Sequence, residues 1–275
     1  MTISSSSSST PFWGHPTSTL DWCEENYTLL PYVAEFWNTL SNLAIIVPCL
    51  VGLYNCAIAG LERRFVLSFL GLLGVGIGSW LFHMTLLWHY QLVDELSMIY
   101  ASCIFLYCIV DSRYTTGLHG LGLVTGLVLY AVLVTYMYLH NKNAVFHETA
   151  YGIQVAGIMF LSYLKSRTAP PRIRILFPVA ITMYLSAFAL WNVDNHLCGH
   201  LQLLRAYLGV FAPVIELHAW WHIGVGIGSY LYVVFSIATR MRELNQRVAL
   251  TTFAGLPIIA PNKTPHSKTS NGKDI

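Results

Sequence analysis

Charge is what this chain has least of. Only 10% of its 275 residues are Asp, Glu, Lys or Arg, while 55% are hydrophobic; an ordinary soluble domain carries about 25% charged residues. Water is therefore the wrong solvent for most of the chain. A net charge of +2 leaves no basic face for nucleic acid, which is not expected as a partner. The Ser-rich, uncharged first ten residues lack the basic start and apolar core of a cleavable secretory signal, so insertion is expected to rely on the first membrane-spanning helix. The chain also lacks an internal repeat and a matched pair of broken helices, which argues against a transporter.

What is there is a series of long apolar runs. A spanning helix needs roughly 20 mostly apolar residues. Seven windows qualify: Phe36 to Cys56, Phe65 to Leu87, Leu92 to Val110, Leu118 to Leu139, Thr149 to Leu164, Ile175 to Val193 and Val214 to Ala238, the fifth being the shortest. The fold class expected is all-α, a polytopic seven-transmembrane-helix bundle. It divides into an N-terminal segment over residues 1–35, a helical domain over 36–240 and a tail over 241–275. Thirteen of the fifteen Lys and Arg follow the odd-numbered windows, and only Lys142 and Arg205 fall on the other side. The positive-inside rule then places the C-terminus in the cytoplasm and the N-terminus outside it.

Ionisable groups inside a span cost about 2.5–3.5 kcal/mol each on insertion scales, so they tend to be paired or functional. The seventh window opens with Glu216-Leu217-His218-Ala219-Trp220-Trp221-His222. Its two His, at i and i+4, project from one helix face about a turn apart. The same spacing joins Ser79 to His83 in the second window, and Asp94 and Glu95 begin the third. By parity the second window ends, and the third and seventh begin, on the N-terminal side, so Ser79, His83, Asp94, His218 and His222 share one leaflet. Three imidazoles and a water are the ligand set of a catalytic zinc, with a carboxylate such as Asp94 as general base. Each motif alone has a plainer reading. H-x-x-x-H without the Glu of H-E-x-x-H fits an aromatic-belt pair beside Trp220 and Trp221. Ser79, with Gly74, Gly76 and Gly78, fits close helix packing.

Ahead of the first span stands Asp21-Trp22-Cys23-Glu24-Glu25-Asn26-Tyr27, followed by Glu35. Oxygen-rich clusters suit calcium, but this is not EF-hand spacing, and a solvated acidic cap beside interfacial Trp13 and Trp22 is the competing reading. Asn26-Tyr27-Thr28 is also a glycosylation sequon on the non-cytoplasmic side, where glycan and metal would compete; Asn262-Lys263-Thr264 lies on the cytoplasmic tail and is discounted. Cys23 and Cys198 share the oxidising side, as a disulfide or as two free thiols. Cys49, Cys56, Cys103 and Cys108 read as packing residues.

Five segments together resemble the alkaline ceramidases, particularly the alkaline ceramidase 3 and fungal branch. They run from Thr17 to Tyr27, from Ala34 to Thr39, from Gly78 to Leu86, from Gln91 to Leu96 and from His218 to His222. The resemblance covers Phe12 to about Arg240 and gives no purchase on the Ser-rich start or on the chain after about Arg247. It implies an intramembrane zinc held by His83, His218 and His222, with Ser79 and Asp94 assisting a zinc-bound water. It also implies a calcium on Asp21, the Trp22 carbonyl, Glu24, Asn26 and Glu35, and a Cys23 to Cys198 disulfide. The expected activity is hydrolysis of the ceramide amide to a fatty acid and a sphingoid base, in the endoplasmic reticulum or Golgi with the N-terminus luminal. Membrane lipids are the expected surroundings and no obligate protein partner is evident. The alternative is a seven-helix lipid-sensing receptor of the adiponectin-receptor type, which would require the opposite orientation.

Overall fold

The computed structural model describes residues 11–110 and 117–260. The Ser-rich start, Arg113, the Asn262 sequon and the last three lysines lie outside them. Ten helices occur among the described residues. A short α1 (Phe36–Ser41) runs through Asn42 into α2 (Leu43–Ala59). Gly60, at φ 62°, ends α2 in the left-handed conformation that glycine adopts without steric cost. Next come α3 (Arg63–Thr85), α4 (Trp88–Ile109), α5 (Gly117–Asn141) and α6 (Ala144–Ser166). They are followed by α7 (Pro171–Arg174), α8 (Leu176–His196), α9 (Cys198–Leu208), a 3-10 turn over Gly209–Ile215 and α10 (Leu217–Glu243).

Six of these segments are long and apolar enough to cross a membrane: Phe36–Ala59, α3, α4, α5, Pro171–His196 and Cys198–Glu243. They correspond to six of the seven windows read from the sequence, with α3 ending two residues and α4 one residue before the expected ends. The fifth window forms α6, which is 23 residues long but less apolar, carrying His147, Glu148, Gln154 and Lys165. Its ends are nonetheless far apart in the bundle. His147 touches α4 near its N-terminus, and Lys165 pairs with Glu243 at the end of α10.

α10 is the central helix. From Tyr230 to Met241 every residue is buried, so this stretch is covered on all sides by α2, α3, α4 and α8. At the other extreme, α5 buries only Gly120, Val134 and Tyr138 and turns Leu121, Leu129, Val132 and Tyr136 outward, the surface a lipid-facing helix presents. Gly76 and Gly78 abut α2 and α4 as the sequence suggests, but Gly74 has open space where a side chain would go and is not a packing contact.

The end of the bundle away from His218 and His222 is held by ions. Glu62 pairs with Arg64 (3.0 Å) and with Arg240 (2.8 Å). The stretch from 241, read from the sequence as a tail, first completes α10 and then forms a hairpin, β1 (Leu250–Phe253) against β2 (Leu256–Ile259). A lone hairpin is marginal in water. Here Asn55 of α2 bonds both the C=O (2.7 Å) and the N–H (3.0 Å) of Ile259, and Tyr230 donates to the Pro257 carbonyl (2.9 Å).

Candidate metal centre and active site

The last turn of a helix leaves carbonyls without intrahelical donors. At the end of α3 the N-terminal segment supplies them. The Glu35 and Ala34 N–H groups donate to the carbonyls of His83 (3.0 Å) and Met84 (2.9 Å), and those of Thr17 and Ser18 to Leu86 (both 3.1 Å). This docking lays Trp22 over His218, ring centres 4.1 Å apart, and brings Glu35 to His83.

His83, His218 and His222 form a buried triangle with ring centres 4.7–5.0 Å apart. One ligand atom from each lies within 4.8 Å of the others. The surroundings orient two of the rings. His83 Nδ1 is 2.5 Å from Glu35 Oε2, and His222 Nδ1 contacts the Asn38 carbonyl (3.0 Å) and the Ser41 hydroxyl (2.8 Å). Fixing one nitrogen of an imidazole directs the other, as in metal-ligating histidines. Among the described residues, buried His218 Nδ1 has no hydrogen-bond partner. A converging set of buried imidazoles with an orphan nitrogen fits a borderline-soft divalent metal such as zinc.

Ser79, one turn before His83, places its hydroxyl 3.4 Å from His222 Nε2 and faces the Asp94 carboxylate across the α3–α4 contact. Gly78 makes that approach close: a Cβ there would stand 3.0 Å from the Asp94 nitrogen. Ser79, Asp94, His218 and His222 open onto a cavity of about 670 Å³, walled by apolar groups such as Met98, Phe105 and Trp221. That size and lining suit a mostly apolar ligand with a few polar atoms at one end.

The five candidate calcium ligands lie together in the docked segment. Asp21 accepts from the Asn26 amide (3.1 Å), and the Asn26 carbonyl oxygen is buried without a partner among the described residues. The Glu24 carboxylate caps α1, accepting from the N–H groups of Trp37 (2.7 Å) and Asn38 (2.8 Å). Glu35 accepts from the Trp22 N–H (3.2 Å) and the Asn38 amide (3.1 Å). Glu24 is raised to about 7 and Glu35 to about 8, chiefly by burial and with a smaller push from nearby carboxylates, against the backbone and amide hydrogen bonds that favour their charge and, at Glu24, the charge of Arg205. Clustered oxygens in need of a counter-charge, with an orphan carbonyl among them, suit a hard cation.

Cys23 and Cys198 are joined as a disulfide, while Cys49, Cys56, Cys103 and Cys108 are free and buried. Arg205 is less isolated than its place in the sequence suggests. It donates to the Cys23 carbonyl (2.6 Å) and pairs with Glu216 (2.6 Å). Sequence reasoning assigned Glu35 to calcium alone and missed its bond to His83, as well as the contacts of Asn38 and Ser41 with His222. No local pattern marks these pairs, which lie up to 184 residues apart.

The model of one protein family, described as Ceramidase, matches residues 14–259. Alkaline ceramidase 3 of Mus musculus is 42% identical over 246 residues, covering 89% of this chain and 92% of its own length. Alkaline ceramidase YPC1 of Saccharomyces cerevisiae is 36% identical over 257 residues (85% and 80%), and the alkaline ceramidase of Arabidopsis thaliana 28% over 260 (92% and 96%). The family match runs on to residue 259 and so takes in the hairpin, beyond the reach of the sequence motifs.

Proposed function

The chain belongs to the ceramidase family, and from that premise we propose that this enzyme hydrolyses the amide bond of ceramide at the Ser79, Asp94 and three-histidine cluster, releasing a fatty acid and a sphingoid base. The observation that carries the assignment is that cluster at the wall of a large apolar cavity within the bundle. Zinc held by His83, His218 and His222 would supply Lewis-acid polarisation of the amide and a more acidic water.

The chain's own groups account for the remaining work. Asp94 takes a proton from the attacking water and returns it to the departing sphingoid nitrogen. The Ser79 hydroxyl, beside both Asp94 and His222, donates to the carbonyl oxygen as negative charge develops there. Glu35 holds His83, and Asn38 with Ser41 holds His222, so the rings need not reorganise during turnover. Trp22 covers His218 and keeps bulk water off that face. Asp21, the Trp22 carbonyl, Glu24, Asn26 and Glu35 are the residues that would hold calcium, which would neutralise the carboxylates and stiffen the segment.

In this reading the bundle crosses the membrane seven times. α6 supports the seventh crossing, because it reaches from α4 beside Asp94 to the far end of α10. The Lys and Arg bias supports a cytoplasmic C-terminus and a luminal N-terminus. The active site then lies in the luminal leaflet, at the depth of a ceramide amide, and the endoplasmic reticulum or Golgi is the compartment. The receptor alternative draws no support from the relatives named above.

The test is fatty-acid release from ceramide by purified wild type and His218→Ala, with metal content measured on the same samples. Wild type is expected to hold one zinc per chain and to cleave ceramide, and the variant to lose both. A metal-loaded wild type that leaves ceramide intact would sink the assignment.

A further inference from the structure

The cavity has a second polar wall that the hydrolytic scheme does not use. Glu95, the residue after Asp94 on α4, and His147, in the first turn of α6, are both buried and both line it. His147 Nε2 lies 2.8 Å from the Glu95 backbone carbonyl. A carbonyl can only accept, so Nε2 carries the hydrogen, and in the neutral ring Nδ1 is left as an acceptor. One carboxylate oxygen of Glu95, Oε2, is fully engaged. It accepts from the Tyr138 hydroxyl and from the Gln91 amide (3.1 Å), and Gln91 is itself fixed by two bonds to Thr19 (both 2.8 Å). The other oxygen, Oε1, lies 3.9 Å from His147 Nδ1, too far for a hydrogen bond. Among the described residues neither atom has a hydrogen-bond partner.

Two buried acceptors held at a fixed spacing on a cavity wall call for a ligand that brings donors. A carbonyl or an alkyl chain would leave both unsatisfied, and that costs binding. Ceramide carries hydroxyls on the carbons flanking the one that bears the amide nitrogen. With the amide at Asp94, those hydroxyls reach the neighbouring position on the same helix.

We propose that Glu95 and His147 form the subsite that binds the hydroxyls of the sphingoid base, each acceptor taking one O–H, so that the enzyme selects N-acyl amino alcohols over plain N-acyl amines. This rests on the hydrolase reading and names its specificity element. The pair is built before substrate arrives: Tyr138, Gln91 and Thr19 hold the carboxylate, and the Glu95 carbonyl sets the tautomer of the ring.

The experiment compares kcat/KM for an N-acyl sphinganine and for the same acyl chain on a long-chain 2-aminoalkane without hydroxyls, using wild type, His147→Phe and Glu95→Gln. Wild type is expected to prefer the hydroxylated amide by roughly 10- to 100-fold. Each variant is expected to lose most of that preference by losing rate on the hydroxylated substrate, with the plain amide cleaved as before. In Glu95→Gln the new amide can donate to His147 Nδ1 and close the gap. Equal wild-type rates on the two substrates would overturn the assignment without any variant. So would variants that slow on both substrates alike or that keep the full preference, with the hydrolase reading left standing. Failure of wild type to cleave either amide would remove that reading and this one with it.

Discussion

Glu35 stands between the three-histidine cluster and the oxygen-rich N-terminal segment. It orients His83 through Oε2 and stands among the oxygens that suit calcium, while accepting from the Trp22 N–H through Oε1. Glu35→Gln keeps the shape but replaces the carboxyl group that faces Nδ1 of His83 with an amide, a weaker partner for orienting the ring. Outer-shell changes of this kind typically cost 10- to 100-fold in metal affinity, so the variant should give up zinc to a chelator at roughly that lower concentration, with activity falling in step. Unchanged zinc retention would show that His83 is oriented by packing alone. Gly78 makes a different kind of demand, because the backbone of α4 fills the space where its Cβ would stand. Gly78→Ala must push the two helices apart, and overpacking costs about 1–3 kcal/mol. Ser79 and Asp94 should then lose their alignment while the histidine triangle keeps its metal, so kcat should fall by more than zinc content does.

The helices are secured to one another by groups at their ends, and one such link gives a pH dependence whose sign can be worked out. Glu62, just before α3, bonds Arg240 near the end of α10 and Arg64 two residues on. Partial burial pushes its carboxyl up, but the Arg240 hydrogen bond and the two guanidinium charges outweigh this and hold it below its ordinary value of 4.5. An acid whose folded-state pKa is depressed stabilises the fold above its unfolded value, and that contribution is lost as pH falls through the folded value. Glu62→Gln should therefore lower Tm at pH 7 by an amount worth less than about 1 kcal/mol, the carboxylate being a third exposed. The gap between variant and wild type should narrow as pH falls below the ordinary value of 4.5 and on through the lower folded-state value; a gap independent of pH would mean the carboxylate acts through shape alone. At this scale the windows were legible because hydropathy and length are local: six of seven appear as spans, and the His spacing on α10 followed from the helix repeat. Sequence could not show that α6 is anchored at both ends, by His147 on α4 and Lys165 on α10. Nor could it show that Asn55 completes the edge of a hairpin two hundred residues away. Those partners are chosen by packing, and a hydrogen bond between distant residues leaves no periodic trace.

For the molecule as a whole, the decisive arrangement is that the candidate active site has a floor and a cover from different parts of the chain. α3, α4 and α10 supply the floor; the segment before α1 supplies the cover, lying over the histidines through Trp22 and capping both α3 and α1. Leu20, Trp22, Tyr27 and Ala34 pack against Phe82 and Leu86 in a small apolar cluster, and further links secure the segment's position. Two tethers do this from the far end of the sequence: the Cys23–Cys198 disulfide, 175 residues apart, and Arg205, which reaches the Cys23 carbonyl while paired to Glu216 beside the metal helix. A cross-link closing so long a loop stabilises by about 2–4 kcal/mol, mainly by restricting the unfolded chain. Cys198→Ser should therefore lower Tm, and the double variant Cys23→Ser with Cys198→Ser should be no worse, because the pair is one interaction. Activity should fall below what stability alone explains, since a loosened segment takes Trp22 away from His218 and Glu35 away from His83 at temperatures where the bundle is still folded. The measurement is turnover against temperature alongside unfolding by intrinsic fluorescence. Activity loss well below the unfolding transition in the variant, and coincident with it in wild type, is the result expected of a strapped cover. If the two transitions coincide in the variant as well, Arg205 and the caps on α3 hold the segment without the disulfide.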